Sequence, residues 1–360
     1  MKWSFRIGTI AGIGVRVHVT FLLFLAWALW QGLQTGNVAA AIQGVGLLLL
    51  VFACVVLHEL GHAFAGRRYG IRTRDIVLLP IGGVARLERM PSGPGQEIVV
   101  ALAGPAVNVI IVGVLSLARA LSFRGLGPEA PAMEMLDLLI RINFVMIGFN
   151  LIPAFPMDGG RVLRAVLAQR TTFLRATQLA ARIGQGVAIL FAIAGLVSNY
   201  YMLLLVGLFV FLAAGDEYAA VAARTTMRGF PVQSAMETRF ATLETTDSLA
   251  HAVATIQASA QHNFPVLEGE ELVGVISRSE LLESLRNHEP DARVGEIVRR
   301  SIAIADPREP VEQAFQRMIE RRQSALPVVS DGYLVGMITS ENVSRLLESQ
   351  QAVRRHGAPG

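Results

Sequence analysis

The chain is poor in charge. Charged residues occupy 17% of its 360 positions, where a soluble protein usually carries about a quarter. Apolar residues reach 52%, and the long apolar runs all lie before about Ala222. That distribution excludes one large soluble core. It predicts a membrane domain followed by a water-exposed one. Cysteine is nearly absent. Cys54 is the single one, so no disulfide framework within the chain can form and the redox compartment stays unread. An acidic surplus is lacking too, since the formal net charge is +4. Arginines beside apolar runs explain that balance, so nucleic acid is not expected as a partner. A cleavable leader is not expected at the start of the sequence. MKWSFRIGTIAGIGVRVHVT has no small-residue cleavage site after a short apolar stretch, and the first apolar run reads as a retained span.

A helical span needs about 20 mostly apolar residues. Six segments qualify, at about 17–35, 39–66, 97–118, 135–168, 177–197 and 199–222. The fourth is interrupted by NLIPAFPMDGG. Six crossings put both ends on one side. That side would hold Lys2, Arg6, Arg16, Arg67, Arg68, Arg72, Arg74, Arg86, Arg89, Arg164, Arg170, Arg175, Arg224 and Arg228. The other would hold Arg119, Arg124 and Arg141. The arginine-rich side is the cytosolic one, so the N-terminus and the C-terminal half are expected in the cytosol and the chain in the cell membrane. Between the second and third segments, IVLL and VARLE flank Gly82 and Gly83 and read as a short β-hairpin.

The stretch VVLHELGHAF, residues 55–64, sits inside the second apolar run. An ionisable group at mid-bilayer costs at least ~2.5–3.5 kcal/mol, so something must compensate for two histidines and a glutamate there. His58 and His62 are four apart. On a helix they share one face, about 5–6 Å apart at Cβ, the spacing at which two imidazoles hold one zinc ion. Glu59 adjoins His58, points beside the metal, and can take a proton from water there. A third ligand is needed. His18, at the start of the first run, reads as an interfacial residue. Asp158 is the better candidate, because it is the single acidic residue between Asp137 and Asp216. It lies where Pro153, Pro156, Gly159 and Gly160 break the fourth apolar run. Broken backbone at membrane depth belongs beside a polar cavity, and a cation there neutralises the carboxylate. Asp158 can also cap the helix RVLRAVLA that follows.

HELGH together with Asn150, Pro153, Pro156, Asp158, Gly159 and Gly160 resembles the site-2 protease family of intramembrane zinc metalloproteases. ALAGPAVN and LLPIGGVARLERMP are similar to that family as well. The resemblance covers roughly residues 1–222. It implies one zinc ion per chain on His58, His62 and Asp158, with Glu59 activating water. Asn150 would help hold the substrate backbone, and the hairpin at Gly82 and Gly83 would offer an edge to an unwound substrate by strand addition. The substrates implied are single-span or membrane-anchored proteins in a lipid bilayer. A transporter carrying a regulatory module, or a silent scaffold, is the alternative; neither needs a base beside its ligands.

The second half is a repeat. PVLEGEELVGVISRSELLESL from Pro265 aligns without a gap on PVVSDGYLVGMITSENVSRLL from Pro327. Each copy reads helix, strand, turn, strand, helix. The pair resembles cystathionine-β-synthase-type (CBS) domains. The expected fold is thus an α-helical polytopic membrane domain of six transmembrane helices with a short β-hairpin, followed by an α/β CBS pair. Its boundaries are 1–222 for the protease domain, 223–230 for a linker, 231–290 and 291–350 for the repeats, and 351–360 for a tail. The resemblance implies adenine nucleotide in the cleft of the pair. Members that bind ribose carry Asp three residues after the strand's Ser or Thr, whereas Ser277 is followed by Glu280 and Thr339 by Asn342. Two readings stay open: a nucleotide site that gates the protease from its cytosolic mouth, or a module for homodimerisation or substrate docking.

Overall fold

A computed structural model of the protein describes residues 3–34, 36–87, 93–122, 131–298, 300 and 302–356. Lys2, Arg89, Arg124 and positions 357–360 of the expected tail lie outside them. The chain divides into two compact units, Met1–Ala219 and Ala220–Gly360.

The first unit opens with strands the sequence reading missed, β1 (Ser4–Ile10) and β2 (Ile13–His18). Helix α1 (Val19–Leu33) follows directly, and His18 caps it by accepting the Thr20 N–H on Nδ1 at 3.3 Å. Helix α2 (Val38–Arg68) is capped by Asn37, whose Oδ1 accepts the Ala40 N–H at 3.0 Å. Arg67 and Arg68 fill its last turn, where cations suit the helix dipole. Strands β3 (Thr73–Leu79) and β4 (Gly82–Leu87) form the anticipated hairpin. Its turn falls at Pro80 and Ile81, so the two glycines open β4 rather than make the turn.

The hairpin is half of a four-stranded sheet, in the order β1-β2-β3-β4. β2 and β3 run parallel, with α1 and α2 as the crossover between them, as parallel strands require. Side chains alternate across a strand. Ile13 and Ile76 therefore pack with Leu60 and Ala63 of α2, and Val17 and Leu78 pack with Phe21 and Phe52. Asp75 binds Arg16 at 3.1 Å and Arg86 Nε at 2.5 Å.

Helices α3 (Pro94–Ser122), α4 (Pro131–Asn150), α5 (Asp158–Ala168), α6 (Phe173–Val197) and the part of α7 (Tyr201–Arg228) up to Ala219 complete the unit. Among the described residues, four helices are long and apolar enough to cross a membrane: α2, α3, α6 and α7. The first anticipated span is the 15-residue α1. The fourth is α4, a break, and the 11-residue α5. Six spans are thus four membrane-capable helices and two others. Ile110 of α3 and Leu190 of α6 are 64% and 65% exposed, and apolar faces of this kind suit lipid rather than water. Asp158 is not the N-cap of α5. Met157 holds that position, and Asp158 is the first helical residue.

The second unit holds the two repeats. The residues anticipated as linker are helical up to Arg228. The first repeat has β5 (Leu243–Glu244), α8 (Leu249–Gln257), β6 (Asn263–Glu268), β7 (Glu271–Ser277) and α9 (Arg278–Asn287). A short α10 (Val294–Ile297) precedes the second, which has α11 (Val311–Arg321), β8 (Ala325–Ser330), β9 (Tyr333–Thr339) and α12 (Ser340–His356). The copies share their pairing irregularity: it falls after Val266, opposite Gly274, and after Val328, opposite Gly336. Each repeat also borrows a segment from before the other. Val232 lies in the second core with Leu326 and Ile338, while Val294 lies in the first with Phe264 and Ile276. That exchange is invisible in the gapless alignment.

Candidate metal centre

His58 and His62 stand one turn apart on α2, and both are buried. Their rings meet edge to face with centroids 4.7 Å apart. Helix α3 orients them through one stripe of four-residue steps. The Val100 carbonyl accepts the His62 Nδ1–H at 2.7 Å, and Asn108 Oδ1 accepts the His58 Nδ1–H at 3.1 Å. A carbonyl only accepts, so Nδ1 carries a ring proton, and in the neutral ring that leaves the Nε2 lone pair for a metal. Between the two partners comes Gly104. A Cβ there would lie 2.3 Å from His62 Nε2 and 2.6 Å from His58 Nε2, so only glycine leaves the rings their space. ALAGPAVN is therefore the bed for the histidines.

The carboxylate arrives from the broken segment. Gly159 and Gly160 have no room for side chains, since a Cβ on Gly159 would lie 2.3 Å from the Ile152 carbonyl oxygen. This nests the start of α5 into residues 151–157 and aims Asp158 at the histidines. Its Oδ2 is 3.2 Å from His58 Nε2 and 3.1 Å from His62 Nε2, and the two Nε2 atoms are 3.1 Å apart. Buried Oδ2 has no hydrogen-bond partner. With both rings neutral and protonated on Nδ1, three lone-pair atoms face each other, an arrangement that a cation among them would stabilise. Ligands of a tetrahedral ion with bonds of about 2.0–2.1 Å are about 3.3 Å apart, close to what is seen. Among the described residues, this is the cluster of His, Cys, Asp and Glu that could hold a metal.

Glu59 is half-buried on α2, and its Oε2 accepts the Ala85 N–H of β4 at 3.1 Å. β4 comes that close because Gly83 has no side chain. A Cβ there would lie 2.8 Å from Glu59 Cγ and 2.9 Å from Val55 Cγ1. Gly82 adopts φ +135°, a left-handed conformation that suits glycine. Asn150 is the last residue of α4, half-buried, and is not in the cluster that could hold a metal. Sequence reasoning missed Val100, Gly104, Asn108 and Ala85. The four-residue spacing of Gly104 and Asn108 in ALAGPAVN was a usable signal for those two; a backbone carbonyl or strand N–H carries none.

The peptidase family M50 model matches residues 46–126 and 125–193, and the CBS domain model matches 232–287 and 294–349. A zinc metalloprotease of Methanocaldococcus jannaschii is 31% identical over 347 residues, 96% of this chain and 97% of that one. The chain belongs to peptidase family M50. This M50 peptidase is also 28% identical over 371 residues to Rip3 of Mycobacterium tuberculosis, covering 97% of itself and 94% of the relative. The solved site-2 protease of M. jannaschii is 38% identical, with a TM-score of 0.46, covering 60% of this M50 chain and 95% of the solved one. The M50 chain is a zinc metalloendopeptidase of site-2 type with a C-terminal CBS pair.

Proposed function

We propose that the chain cleaves single-span or membrane-anchored proteins within or beside the bilayer, at a zinc held by His58, His62 and Asp158. The observation that carries this is the convergence of two imidazole Nε2 atoms and a carboxylate oxygen within 3.1–3.2 Å of one another. Zinc bound there supplies a Lewis acid and brings the pKa of water to near 7. The rest of the chemistry falls to the chain. Val100 and Asn108 hold both rings in the ligating tautomer. Glu59 takes the proton from the attacking water, and Ala85 holds its carboxylate in place. α1 and α4 complete six crossings, with both chain ends in the cytosol. Asn150 and the β4 edge at Gly82 and Gly83 bind the unwound substrate.

The test is reconstitution with single-span proteins. Native protein is expected to carry one zinc per chain and to cut. Asp158→Asn is expected to lose both. Native protein without stoichiometric zinc would refute the assignment. In the same assay Val84→Pro, which removes an N–H from β4, should slow cleavage and keep the metal. Unchanged cleavage ends the strand-addition role.

For the CBS pair we propose adenine-nucleotide binding that gates cleavage, or homodimerisation through the same module. A hollow beside the second repeat supports the first. It is lined by Ser234, Met236, Asn342 and Arg345 among others, so a guanidinium is at hand for phosphate. The ribose positions are engaged locally instead. Glu280 accepts from the Ser277 N–H at 2.9 Å, and Asn342 accepts from the Thr339 N–H at 3.0 Å. A nucleotide must displace or share these caps. ATP or AMP titrated into the full chain is expected to raise its melting temperature; no shift would remove nucleotide gating.

A further inference from the structure

Charge counting places Arg164 with the arginines of the cytosolic side. It is in fact fully buried. Its Nε donates to Glu97 Oε1 at 2.8 Å, and its Nη2 contacts the same carboxylate. Its Nη1 donates to Glu217 Oε1 at 2.7 Å. Its guanidinium carbon lies 5.1 Å from the centroid of Phe155 and 4.9 Å from that of Phe173. One side chain on α5 thus ties together α3, α6, α7 and the broken segment.

Such a cluster adds little net stability over apolar packing of the same volume. What it supplies is geometry, because a guanidinium presents its donors in a fixed planar fork. The two ends of that geometry matter. Asp158 is the first residue of the helix that Arg164 belongs to. Glu97 lies three residues before Val100, whose carbonyl holds His62. Phe155 belongs to the segment that nests α5. We infer that Arg164 is a positioning residue for the metal centre: by clamping α5 to the start of α3, it sets the Asp158 carboxylate at ligating distance from His62 and His58. The inference rests on the zinc assignment proposed above.

The test is a thermodynamic cycle on the full-length protein in detergent. Zinc affinity is measured by chelator competition for native protein, Arg164→Lys, Asp158→Asn and the double variant. Lysine keeps the charge and loses the fork. Arg164→Lys is expected to weaken zinc about 10–100-fold, as loss of a ligand-orienting partner does. Beside Asp158→Asn it should change affinity less than about threefold. Additive losses, or native affinity in Arg164→Lys, overturn the proposal. If native protein holds no zinc, the metal assignment itself falls. Where Asp158→Asn binds too weakly to measure, the visible spectrum of cobalt-saturated Arg164→Lys decides: an altered spectrum supports positioning through Asp158, and a native one overturns it. Should Arg164→Lys not fold, Glu97→Gln weakens the α3 clamp, keeps the Glu217 pair and is expected to weaken zinc in the same direction. Unaltered affinity there overturns the proposal.

Discussion

Glu59→Gln is expected to leave the protein folded and its zinc in place, and to lower cleavage about 10²–10⁴-fold, the share a general base contributes. Glutamine has the volume of glutamate. Its carbonyl oxygen can still accept the Ala85 N–H that Oε2 now takes at 3.1 Å, so β4 and α2 keep their contact. Glu59 is outside the cluster of His58, His62 and Asp158 that could hold the metal, so the metal should stay. What is lost is the single thing an amide cannot do, which is take a proton from water. Glu59→Asp should fall between the two, because one methylene fewer draws the carboxylate away from Ala85. The measurement is zinc content beside the initial rate on one single-span substrate. Retained cleavage would remove Glu59 from the base role, and joint loss of zinc would mean that it supports the ligands instead.

How far the sequence could be read depended on where each signal lies. HELGH is legible because the helical repeat alone brings His58 and His62 together. Asp158 is legible because a lone carboxylate beside two prolines and two glycines in an apolar run needs an explanation. The repeats are legible because identical residues fall at one register, and the structure gives both copies the same irregularity after Val266 and Val328. The parallel pairing of β2 with β3 was not legible. It joins Val15 to Ile76 across two helices, and nothing near either residue announces the other. The burial of Arg164 was not legible for a related reason. Topology counting treats every arginine near a span as interfacial, whereas its carboxylate partners lie 67 and 53 residues away in sequence. Burial of a charge is set by partners that only the fold brings near.

Gly104→Ala is expected to weaken zinc binding on the order of 100-fold or more while leaving the helices intact. Alanine is the better helix former by about 1 kcal/mol, so α3 itself should gain. The loss comes from the new methyl, which would sit 2.3 Å from His62 Nε2, 2.5 Å from its Cε1 and 2.6 Å from His58 Nε2. The rings cannot withdraw cheaply. Their Nδ1 atoms are held by the Val100 carbonyl and Asn108 Oδ1, on the same helix that would bear the methyl. Retreat breaks those bonds, and with them the tautomer that frees Nε2 for the metal. Gly113 is the matched control, because a Cβ there meets nothing within 4 Å on the same helix. Gly113→Ala should keep full zinc. Circular dichroism and zinc affinity measured together separate the effects: native helicity with lost metal in Gly104→Ala alone supports the bed formed by α3, and native zinc affinity in Gly104→Ala would show that the histidines do not lie against it.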